Sequence, residues 1–596
     1  MSSRIHPSTS RGQRVWWLLD LTWAGQVIRL SNAEIDLVNA AGESLHYHGT
    51  LDSVDVDDGI EWLSDASSSP ATAQIAAVFP VDVPELVARG HDLASATGTL
   101  ARWVEGTSYE SRRVVISGQI TDPEYGSEDE PVAFSLELLP WDGTSTLPPP
   151  GYAVEGANFI TAALASLPAS GVGLAYPLVI GHPGQVSTAL RASGIITGSQ
   201  AVYADQRRTL HGSHFSGLIV VLSYGHSTVN SVYLKTTTDT TFKRYQVVNT
   251  YDDKGHAIAI ASWWYTKSGG GDLYYDGAVT YTWNPPTASV VGSIGSNSAP
   301  TSIQPSSGND PVGTYVAWLD DGNASGGGIA GRSGAAMRGA GEVLAQLIQW
   351  SGRPVDLGRW EAAEPLLDRF RLDFVVDAEV DAWEFIQSQL LPILPVSIVS
   401  GPNGIAPIVW RYDATSADAV AHLDADRDPS IERASQVTYD RDIRNDIQID
   451  YALAIMSGNY LGRLRYTSNA SADDEDAVPS YLCELSQRRY QRPDGQPLVA
   501  RHVIESPVIY DDSTAHAVCQ WMAAAYALAR RRVEYLVPES EWGWLERGSV
   551  VTISHDEIHL DAQVAVVEGI RLDGSPMMRL RLLIIETPTR DSHTIS

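Results

Sequence analysis

The feature that most constrains the fold is a recurring pattern of short runs in which large apolar residues occupy every second position. In PVAFSLELLPW the pattern falls on Val132, Phe134, Leu136 and Leu138. A repeat of two matches the pleat of a strand with one buried face, and no helix accommodates it. RVWWLLDLTWAGQVIRLSN holds two short apolar runs broken at Ala24-Gly25, a hairpin signal. ESLHYHGTLDSVDV and RRVVISGQITDPEYG continue the pattern, with Gly118 read as a bulge. Residues 14–142 therefore read as an antiparallel sheet or barrel, with one short helix in PVDVPELVARGHD.

The rest of the chain divides by its punctuation. Pro148, Pro149 and Pro150 cannot continue a central strand and read as a stiff connector. SGLIVVLSYG, VNSVYLKTTT, KRYQVVNTYD, HAIAIASWWY and AVTYTWN are strand-length runs separated by turn residues, which suggests a sandwich. A Gly/Ser/Asn/Ala-rich stretch follows and reads as a linker or loop. GAGEVLAQLIQWSG then puts Val343, Leu344, Leu347, Ile348 and Trp350 on one helical face, with Gly352 as the stop. STAHAVCQWMAAAYALARRR reads as a long helix capped by Ser513 or Thr514, its last turn rich in arginine.

The expected fold class is mainly β with α+β segments, multidomain, with barrel or sandwich domains and a few helices. The expected divisions are a barrel-like domain at 1–147, a sandwich-like insertion at 148–290 and a linker at 291–334. An α+β domain at 335–510 and a helix with a small closing barrel at 511–596 complete the chain. A length of 596 residues fits roughly three to five domains.

The formal net charge of −31 excludes a broad phosphate-binding surface and disfavours anionic membranes, and it suits a basic partner. Two cysteines, Cys483 and Cys519, cannot build a disulfide framework or a four-cysteine metal site. Cys519 reads as a small core residue, and a single bridge between the two stays open. The opening MSSRIHPSTSRGQRVWWLLDLTW is interrupted by Asp20 and does not read as a signal peptide. Synthesis and folding in a cytoplasm are the expectation.

The chemistry-bearing groups read as structural rather than catalytic or metal-binding. His46 and His48 share a strand face but lack a third ligand at a useful spacing. His211, His214 and His226 lie near Ser213, Ser216 and Ser223, without the turn that presents a nucleophilic serine. Asp55, Asp57, Asp58 and Gly59 begin like a calcium loop but lack its closing glutamate. Asp424, Asp426 and Asp428, and the run Asp473, Asp474, Glu475 and Asp476, read as solvated acidic faces. Gly326, Gly327 and Gly328 have no lysine partner for phosphate binding. No catalytic residue, metal ligand or cofactor is assigned.

Trp and Tyr number 17 and 25 against 8 Phe, a balance that suits interfaces and sugar-facing surfaces. The densest set is Trp263, Trp264, Tyr265, Tyr274, Tyr275, Tyr281 and Trp283. It reads as core plus subunit interface, with glycan stacking as the alternative.

The closing section runs helix, strand, Leu545-Glu546-Arg547-Gly548-Ser549-Val550-Val551, strand, strand. Together with GEVLAQLIQWSGRPVDLGRW, the Leu-Pro-Val and Val-Trp-Arg strands and RNDIQIDYA, it resembles baseplate hub and tail-tip proteins of tailed phages over residues 335–590. The resemblance implies a non-enzymatic virion component made in the host cytoplasm and assembled as a homotrimer. Its implied neighbours are the distal tail ring protein, the tape measure protein and fibre or receptor-binding proteins, with no sequence-specific nucleic acid. One alternative is a host-recognition protein that binds cell-surface polysaccharide through 148–290. A second is a distal tail protein or a tail-associated hydrolase.

Overall fold

The computed structural model describes residues 14–59, 72–125, 130–137, 145–148, 178–182 and 331–585, the last apart from 334, 377–378, 402, 436–437, 441, 455–458, 469–475 and 573–576. Between 199 and 318 it describes the backbone of the strands alone.

The N-terminal strands are β1 (Val15–Trp23), β2 (Gln26–Ser31), β3 (Ile35–Val38), β4 (Ser44–Tyr47), β5 (Leu51–Gly59), β6 (Thr72–Ala77), β7 (Thr97–Val104), β8 (Arg113–Glu124) and β9 (Val132–Glu137). β1 and β2 form the expected hairpin. Ala24 and Gly25 both take positive φ, 51° and 76°, as a two-residue turn between right-twisted strands requires. The near-continuous apolar run of β1 is explained by burial on both faces. Trp17, Leu19, Leu21 and Trp23 enter one core, while Leu18 packs with Leu45, Tyr47, Ala101 and Trp103 behind it. The short helix appears at Val83–Ala88, capped by Asp82, whose Oδ1 accepts the Glu85 N–H at 2.9 Å. The bulge expected at Gly118 lies elsewhere, between Leu100 and Ala101 opposite Ile116 and Val114. Gly118 instead faces Gly98, where a Cβ would stand 2.7 Å from Leu21 Cδ2. The glycine pair marks close packing, which a sequence does not distinguish from a bulge.

Beyond the connector, seven strands between Ser199 and Trp318 pair antiparallel as a separate sheet. Two hairpins accompany it, Tyr265–Ser268 with Gly271–Tyr274 and Val279–Thr282 with Val291–Ile294.

Helices α1 (Ala340–Trp350) and α2 (Leu357–Leu367) follow. Val343, Leu344, Leu347 and Ile348 are fully buried, as the sequence predicts, and the chain leaves α1 through Gly352 at φ 80°. Strands β10 (Asp446–Ala454), β11 (Asn459–Thr467), β12 (Ala477–Pro479) and β13 (Arg501–Glu505) form a four-stranded sheet in the order β12-β11-β10-β13. Helices α3 (Tyr481–Arg489) and α4 (Asp512–Tyr526) contribute with it to one core, which also takes in α1 and α2. The sequence assigns the cap of α4 to Ser513 or Thr514. The cap is Asp511, whose carboxylate accepts the Ser513 N–H at 3.0 Å. The arginines expected in its last turn begin the next strand instead.

That strand is β14 (Arg530–Pro538), followed by β15 (Val550–His555), β16 (Leu560–Leu572) and β17 (Met577–Ile584). β16 is long enough to serve several partners. Its first half pairs with β15, its second half from Ala565 pairs with β17, and its last residues also pair with β5, Gly569 opposite Gly59 and Leu572 opposite Val56. A fourteen-stranded sheet results, with its main path β2-β1-β7-β8-β9-β6-β5-β16-β17-β14 ending on the short strand Glu432–Arg433. The N- and C-terminal strands share one apolar interior. Arg102 on β7 and Glu539 after β14 form a buried ion pair across this junction, and the guanidinium lies 4.2 Å from the Trp17 ring centroid. The fold is mainly β, as expected. The barrels are a correction: among the described residues the path stays open, because the β16 edge that would close a small C-terminal barrel is taken by β5.

Candidate functional site

The aromatic set falls in and around the inserted sheet. Trp263 ends a central strand, in register with Ser216. Tyr265 and Tyr274 are cross-strand partners in one hairpin, and Tyr281 faces Gly292 in the next. The register brings Tyr265 and Tyr274 together, and puts Trp263 and Tyr281 on other strands. Trp264, Tyr275 and Trp283 lie outside the described residues.

The best-defined polar site lies where the chain runs out toward the seven-stranded sheet, at 178–182, and returns from it, at 331–338; the span between is the insertion. Strand Leu178–Ile180 enters it, paired antiparallel with Phe374–Val376. The chain then turns at Gly181, φ 66°, and the His182 N–H donates to Asp373 Oδ1 at 2.7 Å. On the exit side Arg338 donates to both oxygens of the same carboxylate, Nε to Oδ1 at 2.8 Å and Nη2 to Oδ2 at 2.7 Å. Asp373 is fully buried and Arg338 largely so. A buried carboxylate persists only with its lone pairs occupied, and here the occupants come from both ends of the insertion. Arg332 adds ion pairs to Glu342, Glu361 and Glu364 on α1 and α2. Nothing in RLDFVV singles out Asp373, because its partners lie 191 and 35 residues away.

A second polar constellation lies on one face of the four-stranded sheet. Asp446, Gln448 and Asp450 alternate along β10 and are buried. Arg465 grips Asp446 at 2.7 and 2.6 Å, Arg463 reaches Asp450 at 2.9 Å, and Arg501 on β13 donates to Gln448 Oε1. The opposite face carries Ile447, Ile449 and Tyr451 into the core. The signal was present as Asp-x-Gln-x-Asp and Arg-x-Arg at strand spacing. Burial, followed by the hydrogen bond to Asp512, pushes the Tyr451 hydroxyl far above its ordinary value. Burial, followed by the Arg444 charge beside it, lowers the His502 pKa.

The remaining candidates have structural partners. His46 Nδ1 lies 2.8 Å from Asp36 Oδ1, with the His48 ring edge-on at 4.7 Å. Asp55 lies within β5 and pairs with Arg571 at 2.7 Å rather than opening a calcium loop. Asp424 accepts the Arg427 N–H, Asp426 the Asp556 N–H and Asp428 the Ser430 N–H. Cys483 and Cys519 are buried free thiols, pushed up by burial to about 11 and about 12. His211, His214, His226, Gly326 to Gly328 and Asp473 to Glu475 lie outside the described residues. Among the described residues, no group of three or more His, Cys, Asp and Glu is placed to hold a metal ion, and no helix is long and apolar enough to cross a membrane.

No family model matches the sequence, and no curated protein does. Among solved structures, the chain is similar to the tail protein from Neisseria meningitidis MC58 at 10% identity, covering 96% of each chain with a TM-score of 0.31. It is similar to a chain of the virion of a native gene transfer agent particle at 12% identity, over 73% of this chain and 89% of that one, TM-score 0.35. A 43 kDa tail protein of prophage MuSo2 from Shewanella oneidensis matches at 7% identity over 95% and 97%, TM-score 0.31. By name these are tail and virion proteins.

Proposed function

We propose that this chain is a structural, non-enzymatic subunit of a phage tail, placed at the tail tip as a baseplate hub. The observation that carries the reading is the sequence resemblance of residues 335–590, above all the closing order of helix, strand, Leu545–Val551 turn, strand and strand. In the fold these are α4, β14, the turn through Gly548 at φ 79°, β15, β16 and β17. Support of a mechanical kind comes from the β5–β16 pairing. It makes one hydrogen-bonded unit of strands more than five hundred residues apart, which resists pulling better than domains strung on linkers. In this reading three copies form a ring at the distal end of the tail tube. They contact the distal tail ring protein and the tape measure protein, and carry the fibre or receptor-binding proteins.

Cryo-electron microscopy of the assembled particle tests this. The expected result is three copies around the tail axis at the tip. Density for the chain in the capsid, along the shaft, or nowhere in the particle overturns the proposal.

A further inference from the structure

The open edge of the four-stranded sheet is self-complementary. β13 pairs in parallel with β10 on one side, and no described strand lies on the other. The direction of its hydrogen bonds is set at both ends. Ala500 O accepts the Asn445 N–H at 3.0 Å, and the Ser506 N–H donates to Asp450 O at 2.9 Å. Backbone groups alternate along a strand, so His502 and Ile504 also point toward β10. Those of Arg501, Val503 and Glu505 point outward. The same three residues share a sheet face by register with Asp446, Gln448 and Asp450, and all three are exposed, Val503 at 47%. Val499, just before the strand, is exposed at 41%.

Charged residues on an edge strand ordinarily prevent pairing, because an incoming strand meets an unmatched charge. The order here is cation, apolar, anion. An antiparallel second copy centred on Val503 puts Arg501 opposite Glu505 of that copy, Val503 opposite Val503, and Glu505 opposite Arg501. Val499 falls opposite Pro507. The outward backbone groups are those that a hydrogen-bonded pair at this centre requires. A two-fold contact is satisfied when residue i meets j and j meets i, and this edge meets that condition by itself.

We propose that β13 is a two-fold pairing edge at which a second copy of this chain adds antiparallel to the sheet. The contact goes beyond the ring reading. A two-fold axis joins two copies, or two rings face to face, and leaves ring contacts elsewhere free. Five residues a side fall short of the roughly 1,200 Å² of a stable interface, so the pairing depends on concentration.

Sedimentation velocity of the full chain over a range of concentrations tests it. The wild type is expected to double its assembly mass as concentration rises. R501E and E505R each put like charges opposite one another twice, and each is expected to weaken that doubling at least ~10-fold. An equimolar mixture of the two variants opposes unlike charges again, and is expected to recover the doubling. Far-UV circular dichroism shows that both variants are folded; R501E also gives up its bond to Gln448 and is expected to melt lower, so recovery in the mixture, which a folding defect does not produce, is the deciding readout. Doubling that survives both single reversals overturns the proposal, as does a mixture that stays as weak as its components. A wild type that never exceeds a monomer or a single ring also overturns it.

Discussion

Arg338 and Asp373 form a two-pronged ion pair at 2.8 and 2.7 Å around a carboxylate with no solvent exposure. With the His182 N–H on the same carboxylate, the pair ties the entry and exit of the insertion to one point. Removing one member leaves the other charged and buried, which costs about 3–5 kcal/mol. Asp373→Ala is therefore expected to lower the urea midpoint, and limited proteolysis should show new cleavage on both sides of the insertion. An effect confined to the exit side would assign the tie to Arg332 and its glutamates instead.

Gly181 is fixed by the same carboxylate. Its φ of 66° disfavours any side chain, and a Cβ would stand 2.1 Å from Asp373 Oδ1 and 2.5 Å from Leu372 O. Gly181→Ala should destabilise by at least ~1–3 kcal/mol through strain alone. Combining it with Asp373→Ala should cost less than the sum of the two, because the carboxylate clash is gone and only that with Leu372 O remains. Thermal melts of the four proteins decide this.

Glu568 stands where β16 and β17 shift register, between Val567 and Gly569. It is fully buried and held by Arg532 at 2.8 Å and Arg581 at 3.4 Å. Glu568→Ala takes the buried carboxylate away from both guanidinium groups and should cost about 3–5 kcal/mol. The bulge also divides the β15-paired half of the strand from the β5-paired end. Hydrogen exchange should therefore quicken at Gly569–Leu572 before it quickens in β15.

The His502 pKa is lowered by burial and then by Arg444, so the folded protein holds this ring neutral more strongly than the unfolded chain does. Stability from this group is complete above the ordinary histidine value, near 6.5, and is lost as pH falls through the lowered one. His502→Gln should flatten the acid side of a stability-against-pH curve and leave it unchanged above neutrality. An unchanged acid limb would assign the loss to other groups.

The Cys483 and Cys519 thiols, pushed up to about 11 and about 12 by burial, hold almost no thiolate at pH 8. A thiol-specific reagent should label neither in the native protein and both in denaturant, on the timescale of global unfolding. Fast native labelling would show that the α3–α4 layer opens locally.

Local features of the fold were legible and distant ones were not. Ala24-Gly25 announces its hairpin because turn chemistry is written in two adjacent residues. The α1 face is equally plain from the spacing of Val343, Leu344, Leu347 and Ile348. The α4 cap, Asp511, lies two residues before Ser513 and three before Thr514, because aspartate, serine and threonine compete as caps and only geometry decides between them. The open sheet was read as barrels because strand periodicity says which face is buried but not which edge is paired. For the same reason nothing marks Asp373, whose partners lie 191 and 35 residues away, whereas Asp446 and Asp450 meet their arginines at strand spacing on the neighbouring strand.

The pairing of β5 with β16 has a consequence for synthesis. The edge of β5 is complete once residues near 60 have left the ribosome, yet its partner at Gly569–Leu572 is made about five hundred residues later. At 5–20 residues per second this is a delay of roughly 25 to 100 s. Throughout it the nascent chain carries an unsatisfied strand edge beside a half-built apolar interior. Expression conditions that slow translation should therefore lower the soluble yield, and supplying the C-terminal strands in trans should raise it.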